Sequence, residues 1–169
     1  MADRKLFYAL WPDDRQRDMM RNIINPAISP VEGTAVDRRT WHLTLVYIGA
    51  FPEENIPALQ AAVSEIEPFD FRLRFDRISF WQRPKVASVH PRNMPAELGQ
   101  LVTSIEQKLL PFGFVPNERT YRPHITVVRG ARAFAEAPLA RPIDLQWSRF
   151  ELMESLSTGR GEHYRPFKQ

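Results

Sequence analysis

Apolar and polar residues alternate along this chain in two rhythms, one of period two and one near 3.6, and the switches between them mark the elements. Leu6 to Trp11 reads as a first strand, stopped by Pro12. Asp13 and Asp14 cap a helix over about Arg15 to Ile24, whose apolar side carries Met19, Met20, Ile23 and Ile24. Asn25 to Gly33, with two prolines and a glycine, reads as a loop. Trp41 to Ile48 is a strand closed by Gly49. Glu53 to Glu67 carries Ile56, Leu59, Val63 and Ile66 at helical spacing, and Pro57 is tolerated because it falls in the first turn.

The second half repeats the alternation. Phe71, Leu73 and Phe75 interleave with Arg72, Arg74 and Asp76, which predicts a half-buried strand over Phe69 to Phe80. Lys85 to Val89 is its short partner, reached through Gln82-Arg83-Pro84. Pro95 to Leu110 is an amphipathic helix marked by Leu98, Leu101, Val102, Ile105 and Leu109. Tyr121 to Val128 is a strand, and a proline- and alanine-rich loop leads to an extended stretch over Ile143 to Met153. Thr158-Gly159-Arg160-Gly161 turns the chain into a last strand ending near Phe167. No Gly- or Ser-rich linker divides this order, so a single α+β domain over residues 1–169 is expected.

Composition narrows the chemistry. The chain has 169 residues, 25% charged and 43% hydrophobic, the profile of a globular protein able to bury a core. A net charge of +3 suits an anionic partner without demanding one. There is no cysteine, which excludes a disulfide framework, a thiolate nucleophile and Cys-ligated metal centres. No apolar stretch resembles a signal peptide or a membrane span, so a soluble cytoplasmic protein is expected.

One pattern stands out. Trp41-His42-Leu43-Thr44-Leu45-Val46 and Pro123-His124-Ile125-Thr126-Val127-Val128 share the order His, aliphatic, Thr, aliphatic, Val. In a strand, residues i and i+2 point the same way, so each copy presents an imidazole beside a hydroxyl while Leu43, Leu45, Ile125 and Val127 face a core. A single copy is most simply a structural strand. Two copies in equivalent contexts suggest a duplicated unit whose strands meet at one cleft. Two imidazoles can supply a general base and a general acid at one pH, and two hydroxyls suit the non-bridging oxygens of a phosphate diester. The pattern brings no carboxylate cluster or His-Glu-x-x-His, so neither a metal nor another cofactor is expected.

These residues resemble the paired His-x-Thr-x motifs of the 2H phosphoesterase superfamily, and within it the RNA 2′,3′-cyclic phosphodiesterase (2′-5′ RNA ligase) family. Leu6 to Leu10 with Pro12, and Leu152 to Phe167 with Gly159-Arg160-Gly161 and Tyr164, are similar to that family's opening strand and terminal hairpin. The resemblance implies a bilobal α+β fold: two pseudo-symmetric lobes with antiparallel sheets around a central cleft, helices outside, and a motif on each central strand. It also implies metal-independent hydrolysis of an RNA terminal 2′,3′-cyclic phosphate to a 2′-phosphate, with possible reverse 2′-5′ ligation. His42 would be the proton donor and His124 the proton acceptor, with Thr44 and Thr126 on the phosphate. The partners would be RNA 3′ ends or nucleotides bearing the cyclic phosphate, met by a monomer. Another small cyclic phosphate, a 2′-5′ oligonucleotide, or a non-catalytic RNA- or nucleotide-binding role stays open at this point.

Other residues have both structural and functional readings. Arg129, near the end of the second motif strand, is placed to reach a phosphate. Phe7, by similarity, and Tyr121 are candidates to stack on a base, and Arg122 is a candidate substrate contact. Trp41 faces away from His42 and is expected in the core. Trp81, Arg83 and Lys85 form a basic, aromatic loop that would border the cleft. His90 and His163 lack a threonine at i+2 and read as surface or rim residues.

Overall fold

The computed structural model describes residues 2–158 and 161–167, so the Gly159-Arg160 part of the expected turn lies outside the described residues. Two antiparallel sheets carry the architecture. One has the order β3-β1-β8-β9, from β1 (Asp3–Leu10), β3 (Leu43–Pro52), β8 (Glu151–Thr158) and β9 (Gly161–Pro166). The other has the order β2-β6-β5-β4-β7, from β2 (Thr34–Ala35), β4 (Phe71–Trp81), β5 (Val86–His90), β6 (Ile125–Arg129) and β7 (Ala137–Trp147). Among the described residues three α-helices accompany them: α1 (Asp14–Ile28), α2 (Ile56–Val63) and α3 (Ala96–Leu109).

The halves repeat one plan. In each, a strand precedes a helix and the motif strand returns antiparallel beside it, as β1-α1-β3 and as β5-α3-β6. The helices cross between sheets. α1 leaves β1 and packs against β6 and β7, whereas α3 leaves β5 and packs against β3. One hydrophobic cluster therefore runs through both halves, from Leu6, Tyr8 and Trp41 to Phe75, Ile125 and Leu145. Interior β1 is buried throughout Leu6–Leu10, which explains its unbroken apolar run. Its other face, Phe7 and Ala9 with Met153, turns away from the main core and forms a second cluster under Trp11 and Tyr164.

Several expectations need correction. The motifs do not lie on central strands: β3 is the edge of its sheet, and β6 is one place from the edge, shielded by two-residue β2. Each histidine precedes its strand, and its ring bonds the carbonyl of residue i−2. The strand expected from Tyr121 accordingly starts at Ile125. α1 runs through Asn25 and Pro26 to Ile28, since Ala27 and Ile28 extend its apolar stripe onto the core and Pro26 lies in the last turn. The stretch expected over Ile143 to Met153 is two strands in different sheets, broken at Ser148-Arg149-Phe150. The proline- and alanine-rich segment partly belongs to edge strand β7, where Pro138 and Pro142 cost no interior ladder bond.

Candidate active site

The expected meeting of the motifs is present. His42, Thr44, His124, Thr126 and Arg129 line one cleft of about 220 Å³, closed by Val36, Thr40 and Tyr164. The His42 Nδ1–H donates to the Thr40 carbonyl at 2.7 Å, and the His124 Nδ1–H donates to the Arg122 carbonyl at 2.8 Å. A carbonyl only accepts, so both rings are fixed as the tautomer with a bare Nε2 when neutral. The Thr44 hydroxyl lies 3.0 Å from His42 Nε2 and donates to it.

Each imidazole also has a tryptophan beside it and an arginine on that tryptophan. Trp11 stacks on His42 with centroids 5.4 Å apart and planes at 22°, and the Arg17 guanidinium lies 4.8 Å from the Trp11 ring. Trp81 lies 4.2 Å from His124, and the Arg122 guanidinium lies 4.1 Å from the Trp81 ring. Buried Arg17 donates to the carbonyl of Trp41, the residue just before His42. The two His-Thr pairs are thus held by matching sets of groups contributed from different elements.

These surroundings disfavour charge on the rings. Burial pushes His42 down to about 4, and the positive charges of Arg129, His124 and Arg17 add to the shift against the Thr40 hydrogen bond. His124 is also lowered, first by burial, with Arg122 and His90 adding. The unfolded chain therefore binds a proton at His42 before the folded one does, and stability is lost as pH falls from about 6.5 towards about 4. We expect urea titrations to show a His42→Gln variant gaining stability relative to wild type between neutral pH and about pH 4. A gap independent of pH would show that the folded protein does not hold His42 neutral.

The remaining expected residues divide. The Arg129 guanidinium faces the cleft and donates to the Tyr164 hydroxyl at 3.3 Å. Phe7 is 2% exposed and packs against His42 and Tyr164 with centroids 5.1 and 5.2 Å away, so it walls the site and offers no open stacking face. The Tyr121 hydroxyl donates to the Thr44 carbonyl at 2.8 Å, which joins the approach to the second motif to the free edge of the first. Trp41 is 1% exposed, in the core as expected. His90 bonds Ser79, whose hydroxyl also donates to Glu136, and His163 is exposed.

Trp11, Arg17 and Tyr164 were missed as site residues. Trp11 carried the nearest signal, an aromatic residue ending an apolar strand. Its role depends on where β3 lies beside β1, which no local pattern states. Among the described residues no three His, Cys, Asp or Glu side chains come together as a metal would need, and no helix is long and apolar enough to cross a membrane.

Residues 27–155 match the model of the 2′-5′ RNA ligase superfamily. The chain is 29% identical to an RNA 2′,3′-cyclic phosphodiesterase of Escherichia coli, over 98% of this chain and 95% of that one. It is 26% identical to an RNA 2′,3′-cyclic phosphodiesterase of Archaeoglobus fulgidus, over 97% and 98%. A crystal structure of E. coli LigT complexed with 3′-AMP superposes with a TM-score of 0.86 at 28% identity, covering 98% and 96% of the two chains. The shared architecture is that of a phosphoesterase with two antiparallel sheets. The chain belongs to the 2′-5′ RNA ligase superfamily.

Proposed function

We propose that this protein is a metal-independent RNA 2′,3′-cyclic phosphodiesterase in which His42 and His124 perform the proton transfers. The observation that carries the proposal is the single cleft that two ring-fixed imidazoles and two threonines line together with Arg129. Thr44, Thr126 and Arg129 hold the non-bridging oxygens of the cyclic diester. His124 Nε2 takes a proton from water as the water oxygen bonds to phosphorus. The bond from phosphorus to the ribose 3′-oxygen breaks, and His42 protonates that oxygen, leaving a 2′-phosphate and a 3′-hydroxyl.

Position supports this division of acid and base roles. His42 lies deeper, enclosed by Phe7, Trp11 and Tyr164, whereas His124 is nearer solvent and the incoming water. Both rings are depressed in the free protein, so negative charge on the docked phosphate is what draws a proton onto His42. With a 5′-hydroxyl in place of water as the nucleophile, the same steps join two RNA ends through a 2′-5′ bond, and run backwards they cleave it. The protein acts as a single-domain monomer in the cytoplasm, on RNA 3′ ends. Its basic balance and lack of cysteine support that setting.

The test is hydrolysis of RNA ending in a 2′,3′-cyclic phosphate by purified protein in excess chelator, with the product isomer identified. We expect a 2′-phosphate. One ring must be charged and the other neutral, and both titrate below the ordinary histidine value, so kcat/KM should peak on the acid side of pH 6.5 and fall as pH rises. A 3′-phosphate product, dependence on an added divalent ion, or a kcat/KM that keeps rising above neutrality would each contradict the proposal.

A further inference from the structure

Beside His124 and outside the cleft, three polar side chains from separate segments form a hydrogen-bonded chain. The Ser79 hydroxyl, on β4, donates to Glu136 Oε1 at 2.6 Å and lies 2.7 Å from Nε2 of His90, the last residue of β5. His90 Nδ1 lies 3.1 Å from the Pro91 carbonyl. Ser79 is buried and His90 mostly so, whereas Glu136 reaches solvent.

The donors and acceptors fit together in one way. A carbonyl only accepts, so His90 Nδ1 bears a proton. The Ser79 hydrogen is used on the Glu136 carboxylate, so His90 Nε2 bears a proton too and donates it to the Ser79 oxygen. The chain is complete when the His90 ring holds both protons, with Glu136 Oε1 3.4 Å from Nε2 as its counter-charge.

The ring held in this way stands next to the second motif. β5 and β6 pair Ser88 with Thr126 and Val89 with Ile125, so His90 and His124 come next on either side and share the face of Ser88 and Thr126. Trp81 neighbours both rings, with centroids 6.3 Å from His90 and 4.2 Å from His124. Burial is the main influence that lowers His124, and the charges of Arg122 and His90 add to it. The other charged groups around this pair are Arg77, opposite His90 on β4 and near Glu136, and His42 in the same cleft as His124.

We propose that the Ser79–His90–Glu136 chain is a positioning device for the base: it fixes a doubly protonated imidazole beside His124, so that His124 keeps Nε2 bare for the attacking water and sheds the proton it gains. His90 touches no reacting atom and acts through His124 alone, so the inference rests on the reading of His124 as the base in cyclic phosphodiester hydrolysis.

The test follows the four histidine rings by NMR titration in wild type and in folded His90→Gln and His90→Lys variants, with His124→Gln used to assign the His124 signals. In wild type both His90 nitrogens should carry protons at a pH where His124 still has a bare one. Glutamine keeps a hydrogen-bonding group and removes the charge, so the His124 midpoint should rise by about half a pH unit or more while that of His42 stays. Lysine restores a fixed charge and should return the His124 midpoint to the wild-type value or below. On an RNA 2′,3′-cyclic phosphate the glutamine variant should lose about threefold in kcat/KM on the acid limb, the rate equivalent of that shift, with the alkaline limb unmoved. An unmoved His124 midpoint with both limbs lowered together is the result of a purely structural role and would overturn the proposal. A bare His90 nitrogen in wild type while His124 is neutral would do the same, as would a lysine variant that behaves like the glutamine one. Absence of hydrolysis by wild type would overturn the parent reading and the catalytic role of this chain with it, whereas an unmoved midpoint in an active enzyme overturns this inference alone.

Discussion

Alanine at either His42 or His124 is expected to lower hydrolysis of an RNA 2′,3′-cyclic phosphate by roughly 10²–10⁴-fold, the usual contribution of a positioned acid or base. In the proposed mechanism each substitution removes one of two proton transfers in a single displacement. The double variant should therefore be little slower than the worse single one, because the remaining group has no partner to act with. Folding should survive in both. His42 contributes a ring against Phe7, Trp11 and Tyr164 and a hydrogen bond to Thr40, but it lies on the cleft side and outside the main core. His124 is nearer solvent still. Rates should be measured together with circular dichroism and a urea midpoint for each variant. Retention of more than about a tenth of the activity by a folded His124→Ala protein would remove it from the acid–base role, given that expected loss.

The threonines should give a smaller, asymmetric loss. Valine keeps the shape and removes the hydroxyl, and loss of one such donor to a charged oxygen typically costs about 10²–10³-fold in kcat. Thr44→Val should be the more damaging, since the Thr44 hydroxyl also bonds His42 Nε2 at 3.0 Å and helps set its protonation. No corresponding bond joins Thr126 to His124 among the described residues. Thr44→Val should therefore shift the pH–rate profile as well as lower the rate, while Thr126→Val lowers the rate without moving the profile. Serine at either position should restore most of the activity. Identical effects of the two valine variants on rate and profile would refute the asymmetric role of Thr44.

Much of this site was legible before folding because its chemistry is written in residue types at short spacing. His42 with Thr44 and His124 with Thr126 keep their meaning wherever the strands lie, since a two-residue period sends both side chains to one face. The paired motifs and the similar chain ends brought the family into view, and the alternation of strands and helices marked an α+β fold. The boundaries were less legible for identifiable reasons. Pro26 does not end α1, because the packing of Ala27 and Ile28 outweighs the lost hydrogen bond. Ser148-Arg149-Phe150 ends one strand and begins the crossing to the other sheet, and no local pattern distinguishes that from a bend within one strand.

What the linear order of residues determined by itself was the kit of parts: two imidazole–hydroxyl pairs, a core able to anchor them, and no thiol. The tertiary structure decided where the parts stand. It placed both motifs near sheet edges, and put Trp11 and Arg17 behind one histidine and Trp81 and Arg122 behind the other. Period and propensity act over a few residues. The proton affinity of a ring depends instead on the water and charge excluded or admitted by segments far along the chain, and only packing sets that.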